Sequence, residues 1–325
     1  MSSDADDDGG GREALARERR QSRRARRRRP AVPRSGREVA YSLPHPQLRM
    51  PGESVASLIV RNAETYGFRD PARVLGRIRM PGQTLQTIVS EPPEPEFRGA
   101  LATLLGLEQE LLDRISYPTR DPTRFRFNGH LLPREFFLLS RRRYCPDCLR
   151  ENAFHRMAWD LSLVTGCPRH AVRLIDGCPA CHKSLRWQAR SLTRCPRPVC
   201  WADLRAAAAE PVNSDRMAGV TATLDALADI PPLGAGPPGL SGGELVRLAF
   251  QLGAFSRGSE RVGRPIDLLD RHPEAMHLIL NEGWAALADW PRGFHALLEQ
   301  LRGRSAGRRG RYGLRVHPRS YGFLT

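Results

Sequence analysis

Lysine is almost missing from this chain: Lys183 is its single lysine, against fifty arginines among 325 residues. Also missing is any apolar run near the ~18 residues that a membrane span needs. The opening stretch, MSSDADDDGG, is acidic where a secretory leader would be basic and then apolar. The expectation is therefore neither a membrane protein nor an exported disulfide scaffold. No Gly-x-x-x-x-Gly-Lys-Ser/Thr phosphate loop occurs. Leu240-Ser-Gly-Gly-Glu244, which imitates the signature loop of transporter ATPases, is thus read as a helix start. A clustered set of acids is lacking too. Two-metal phosphodiester cleavage needs several Asp or Glu ligands together, whereas the acids of the most basic internal segment lie scattered at 147, 151, 160, 176 and 203. A nuclease or transposase is not expected.

What the chain does contain is sorted charge. The net charge of +16 divides into blocks: +6 over residues 1–37, zero over 38–140, +8 over 141–205, −5 over 206–301 and +7 over 302–325. An Arg-, Ala-, Gly- and Pro-rich composition follows from a GC-rich genome, but genome bias does not sort charge along a chain. Blocks of arginine suit an anionic polymer, nucleic acid first, because each phosphate contact releases a counterion. Solvated tails at both ends are the alternative. The length suggests two or three domains, and 40% apolar residues suffice for small packed cores.

Segments follow from pattern. Residues 1–40 read as a disordered Arg-rich arm, since Arg17–Arg29 is nearly all arginine and cannot bury a core. Residues 41–140 read as a helical domain. Val55, Leu58, Ile59, Ala63 and Tyr66 recur at helical spacing and Gly67 closes the segment. Ser90–Pro95 is a Pro/Glu linker. Two short helices then flank Gly106, a helix-turn-helix pattern. The second helix carries Glu108, Glu110 and Asp113, an unfavourable surface for a phosphate-walled groove. Residues 207–301 read as a helical C-terminal domain, with helices near 214–229, 242–255, 274–289 and 292–302. Residues 302–325 form a basic tail.

All seven cysteines fall between 145 and 200, as Cys145-Pro-Asp-Cys148, Cys167-Pro-Arg-His170, Cys178-Pro-Ala-Cys181 and Cys195-Pro-Arg-Pro-Val-Cys200. With His170 these make four pairs. Two residues between donors let one tight turn aim both at a single ion, and proline after the first cysteine presets that turn. Two pairs complete a tetrahedron, so eight donors bind two ions, and thiolates select zinc over magnesium or calcium. Disulfides suit neither the expected compartment nor such tight loops. Consecutive pairing gives one site from Cys145, Cys148, Cys167 and His170 and another from Cys178, Cys181, Cys195 and Cys200; a cross-braced pairing is the alternative. Four protein ligands leave no open position, so both sites are expected to be structural. Two zinc ions and seven thiolates bring residues 141–205 from +8 to about +5. His155 and His182 are read as packing or surface histidines, and Met157, Trp159, Leu161 and Val164 as core against the zinc turns. Asp160 is expected to cap or to pair with an arginine. The fold expected is mainly α with small zinc-stabilised β/loop modules: a helix-turn-helix-like N-terminal unit, a tandem zinc-binding module at 141–206 and a helical C-terminal domain.

Tyr144-Cys-Pro-x-Cys148, the aromatic stretch around Trp159-Asp160, Cys167-Pro-x-His170 and Leu174-x-x-x-Cys178-Pro-x-Cys181 together resemble the TniQ family of bacterial transposition proteins. Leu43-Pro44 leading to Pro51-Gly-Glu-Ser54, and Trp290-Pro-x-Gly-Phe294 ahead of a helix, extend the resemblance over about 41–302. The last pair is wider than the family's, the Arg-rich arm lies outside its pattern, and the large C-terminal extension of longer members is not expected. The resemblance implies a non-catalytic target-selection adaptor in the bacterial cytoplasm, at the nucleoid. Implied partners are DNA, an AAA+ transposition ATPase, a CRISPR effector complex in some members, and a second copy as a homodimer. A stand-alone zinc-dependent DNA-binding transcriptional regulator is the alternative.

Overall fold

Ser54 caps the first helix by accepting a hydrogen bond from the Ser57 amide at 3.2 Å. The helix, α1, runs Val55–Thr65 and buries Val55, Leu58, Ile59 and Ala63, the positions whose spacing predicts it. A computed structural model describes residues 42–78, 84–90, 95–117, 119, 121–187, 190–228, 236–257, 265 and 273–309. These lie in one unit spanning Ala40–Thr325. The Arg-rich arm at 1–40 and the tail beyond 309 lie outside the described residues. After α1 come α2 (Ala72–Leu75), α3 (Leu85–Ser90), α4 (Pro95–Leu105) and α5 (Gln109–Ile115). The turn between α4 and α5 carries Gly106 at φ +62°, where an added Cβ would stand 2.8 Å from Pro46 Cγ. Glycine is required there both for the left-handed turn and for the close approach of the incoming chain. The expected helix-turn-helix pair is thus present.

Residues 41–140 are not all helical, which corrects the expectation from sequence. Strands β1 (Arg124–Phe127) and β2 (His130–Pro133) pair antiparallel with Phe125 opposite Leu132. Asn128 and Gly129 connect them at φ +47° and +93°, the two positive values of the tight turn that matches strand twist. Phe125 and Phe127 turn inward while Arg124 is exposed. A six-residue helix, α6 (Pro146–Glu151), and a short ribbon of β3 (Gly166–Cys167) and β4 (Val172–Arg173) come next.

The C-terminal part holds α7 (Ser214–Ala226), α8 (Gly242–Ser256), α9 (Pro273–Ala288) and α10 (Arg292–Arg309). Ser241 and Glu244 form a reciprocal capping box on α8, so the transporter-like stretch is a helix start. Helix α10 continues past the expected end at 302 into the basic tail. Helices α8 and α9 cross at glycines: a Cβ on Gly253 would fall 1.8 Å from Ile279 O, and one on Gly283 1.8 Å from Ala249 O. The hairpin docks on this bundle. The Gly243 amide donates to His130 Nδ1 at 3.3 Å, and Phe136 meets Phe250 edge-on at 5.4 Å. One continuous apolar core therefore runs from α1 to α10. The fold is mainly α, with small β and loop modules around the cysteines. No helix among the described residues is long and apolar enough to cross a membrane.

Candidate metal centres

Cys145 lies at the N-cap of α6 with Pro146 in the first helical position, so Cys145 and Cys148 sit a single turn apart. The β3–β4 turn supplies Cys167 and His170. These four donors converge: His170 Nδ1 lies 3.5, 3.4 and 3.5 Å from the sulfurs of Cys145, Cys148 and Cys167. Cys148 and Cys167 sulfurs are 3.6 Å apart. Tetrahedral zinc with Zn–S about 2.3 Å and Zn–N about 2.0–2.1 Å would space its donors about 3.5–3.8 Å apart. The donor set and spacing fit such an ion.

Glu151, at the end of α6, carries no signal in the sequence that ties it to the centre. Its Oε1 accepts from His170 Nε2 at 2.8 Å and its Oε2 from Arg169 at 2.8 Å. With its proton held at Nε2, the ring turns the Nδ1 lone pair toward the sulfurs, the outer carboxylate support common to metal-bound histidines.

The second centre gathers Cys178, Cys181, Cys195 and Cys200, whose sulfurs all lie within 4.8 Å of one another. Cys178 and Cys200 are 3.6 Å apart, Cys181 and Cys195 3.8 Å. These separations are far from the ~2.05 Å of a disulfide. The structure brings the donors together consecutively, not cross-braced. The wider last pair is accommodated by a loop whose tip, Val199, is 99% exposed, while the Cys200 amide donates to Arg197 O at 3.0 Å. In three of the four pairs, the residue after the second donor adopts a left-handed conformation: Ala171, His182 and Trp201 at φ +49°, +54° and +46°. None is glycine, which leaves no compositional signal for these turns.

Crowding splits the thiols. Hydrogen bonds from Cys145 and Cys148 hold Cys167 down to about 3, and the bonds Cys145 makes with Cys148 and Cys167 push its own thiol up. Burial pushes Cys195 up to about 12. Burial also opposes ionisation of Cys178, but the amides of Cys181 and Ala180 bring it to about 7. Four donors this close repel one another as thiolates, so a bound cation is what lets them ionise together.

Around the centres, Met157, Trp159, Leu161 and Val164 are buried, as expected. Asp160 is fully buried and pairs with no arginine among the described residues. Instead it accepts from Tyr117 OH at 2.5 Å and bonds His155 Nε2 at 2.9 Å. His155 is a packing histidine, edge-on to Trp159 and Trp187 at 5.3 and 4.8 Å. His182 is exposed. Part of the basic block is also internal. Arg142 and Arg143 are each 3% exposed, and Arg143 donates to the carbonyls of Trp159 and Leu161. Glu108 and Glu110 of the helix-turn-helix pair are exposed, and Asp113 meets Arg98 at 3.3 Å.

No curated protein matches the chain. Residues 44–174 match the model of the TniQ family. That span takes in the helix pair, the hairpin and the whole first centre, and stops before the second centre and the Trp290-Pro-x-Gly-Phe294 stretch. Residues 44–174 thus form a TniQ domain, the domain of a family tied to DNA transposition.

Proposed function

We propose that this protein is a non-catalytic target-selection adaptor of a bacterial DNA transposition system. It touches DNA, or a complex already on DNA, and recruits an AAA+ ATPase that governs the transposase. The TniQ match over residues 44–174 carries this reading. In it, both centres hold structural zinc: Cys145, Cys148, Cys167 and His170 ligate one ion, Cys178, Cys181, Cys195 and Cys200 the other. Zinc supplies folding free energy and leaves no open coordination position for chemistry. The ions fix the turns that carry the exposed basic residues, and the helical region at 207–301, net acidic, serves as the protein-docking part. Such a role places the protein in the cytoplasm at the nucleoid. Deleting its gene should abolish targeted insertion while purified transposase keeps its strand-transfer activity. Targeted insertion that persists at the normal frequency without the gene would refute the assignment.

A further inference from the structure

The two turns meeting at the second metal centre differ from the turn at the first in the residue just after the second donor. Ala171 fills that left-handed position in the first centre; His182 and Trp201 fill it in the second. A bulky side chain in this region costs roughly 1 kcal/mol or more over glycine. Neither ring offsets that by burial: His182 is exposed and Trp201 is 42% exposed. The shared centre keeps the turns together, because Cys181 and Cys200, the residues just before these rings, have sulfurs within 4.8 Å of each other.

The segment that carries these turns is cationic. Lys183, Arg186, Arg190 and Arg197 are exposed, and no ion pair among the described residues engages them. The one acid between 177 and 205, Asp203, is held by Arg205 at 2.7 Å and Arg194 at 3.7 Å. Four thiolates around one dication leave a charge of −2, which the surrounding cations outweigh. We propose that the turn tips of the second centre bind single-stranded nucleic acid: His182 and Trp201 offer faces on which unpaired bases stack, and Lys183, Arg186, Arg190 and Arg197 meet the phosphates. Phosphates alone would need only the cations. Two exposed rings held in strained positions add a surface for base faces, which a duplex keeps stacked inside. The proposal rests on the adaptor reading and names the nucleic acid that this part of the protein takes.

The test uses the full-length protein with labelled 20-nucleotide single-stranded DNA, the same sequence as RNA, and the duplex, read by fluorescence anisotropy. Trp201→Gly removes the ring and suits the left-handed turn, so its metal content and melting temperature should not fall. Its affinity for single strands should drop at least about 5-fold, with duplex binding unchanged; the DNA and RNA arms identify which strand is preferred. Lys183→Glu with Arg197→Glu, both at exposed positions, should flatten the salt dependence by about 0.7 for each phosphate no longer neutralised. Undiminished single-strand binding by a metal-replete Trp201→Gly protein would overturn the proposal, as would an equal loss on the duplex. The adaptor reading would survive either result, since it depends on the ATPase rather than on this surface.

Discussion

Glu151 decides which nitrogen of His170 faces the cysteines. Replacing the carboxylate by an amide removes the charged acceptor while keeping the shape, so Glu151→Gln should weaken metal binding at the first centre about 10- to 100-fold. Competition with a colorimetric chelator should resolve one weakened and one unchanged ion per chain; equal retention of both ions would remove Glu151 from the centre. The two clusters of four are legible from sequence, because in three of the four pairs only two residues separate the members and a single turn spans them. Glu151 is not, since an acid at the end of a six-residue helix looks like any solvated acid. Asp160 defeats a sequence reading for a related reason. Its partners, Tyr117 and His155, lie 43 and 5 residues away, and only tertiary packing brings all three together. A buried carboxylate with both oxygens bonded stabilises one arrangement of the core.

At the scale of elements, the α8–α9 crossing depends on the absence of two side chains. Gly283→Ala would drive a Cβ into the Ala249 carbonyl of α8, with no flexible atom to yield. It should lower stability by roughly 2 kcal/mol or more, the range of core overpacking. Gly303→Ala in α10, where nothing lies within 4 Å, should instead raise stability by up to about 1 kcal/mol. Thermal unfolding of both variants measures the contrast, and a Gly283→Ala melting temperature at or above the parent's would contradict the close crossing. Helices α7 to α9 are legible within a few residues because capping signals such as Ser241 and Glu244 stand beside periodic apolar faces. The β1–β2 hairpin is harder to read, although Asn128-Gly129 between alternating Arg-Phe-Arg-Phe and His-Leu-Leu is a strong turn signal. Its short strands lie between helical segments, and the helix on which His130 docks, α8, comes more than a hundred residues later.

Across the whole molecule, charge and metal divide the labour. The first centre lies inside the TniQ match and shares its apolar core with α1 and the buried aromatic cluster, so part of the arginine around it, Arg142 and Arg143, serves the core rather than a ligand. The second centre lies beyond that match and presents its cations outward. The helical C-terminal part, net acidic in sequence, shares one apolar core with both, so segments of opposite net charge are packed into one unit. The most direct measurement reconstitutes the purified protein with the AAA+ transposition ATPase proposed as its partner on immobilised target DNA. ATPase retention should rise when this protein is present and fall to background when it is omitted or treated with a strong chelator. ATPase retention indifferent to the protein, together with promoter control by the protein alone, would contradict the adaptor role and mark a stand-alone regulator instead.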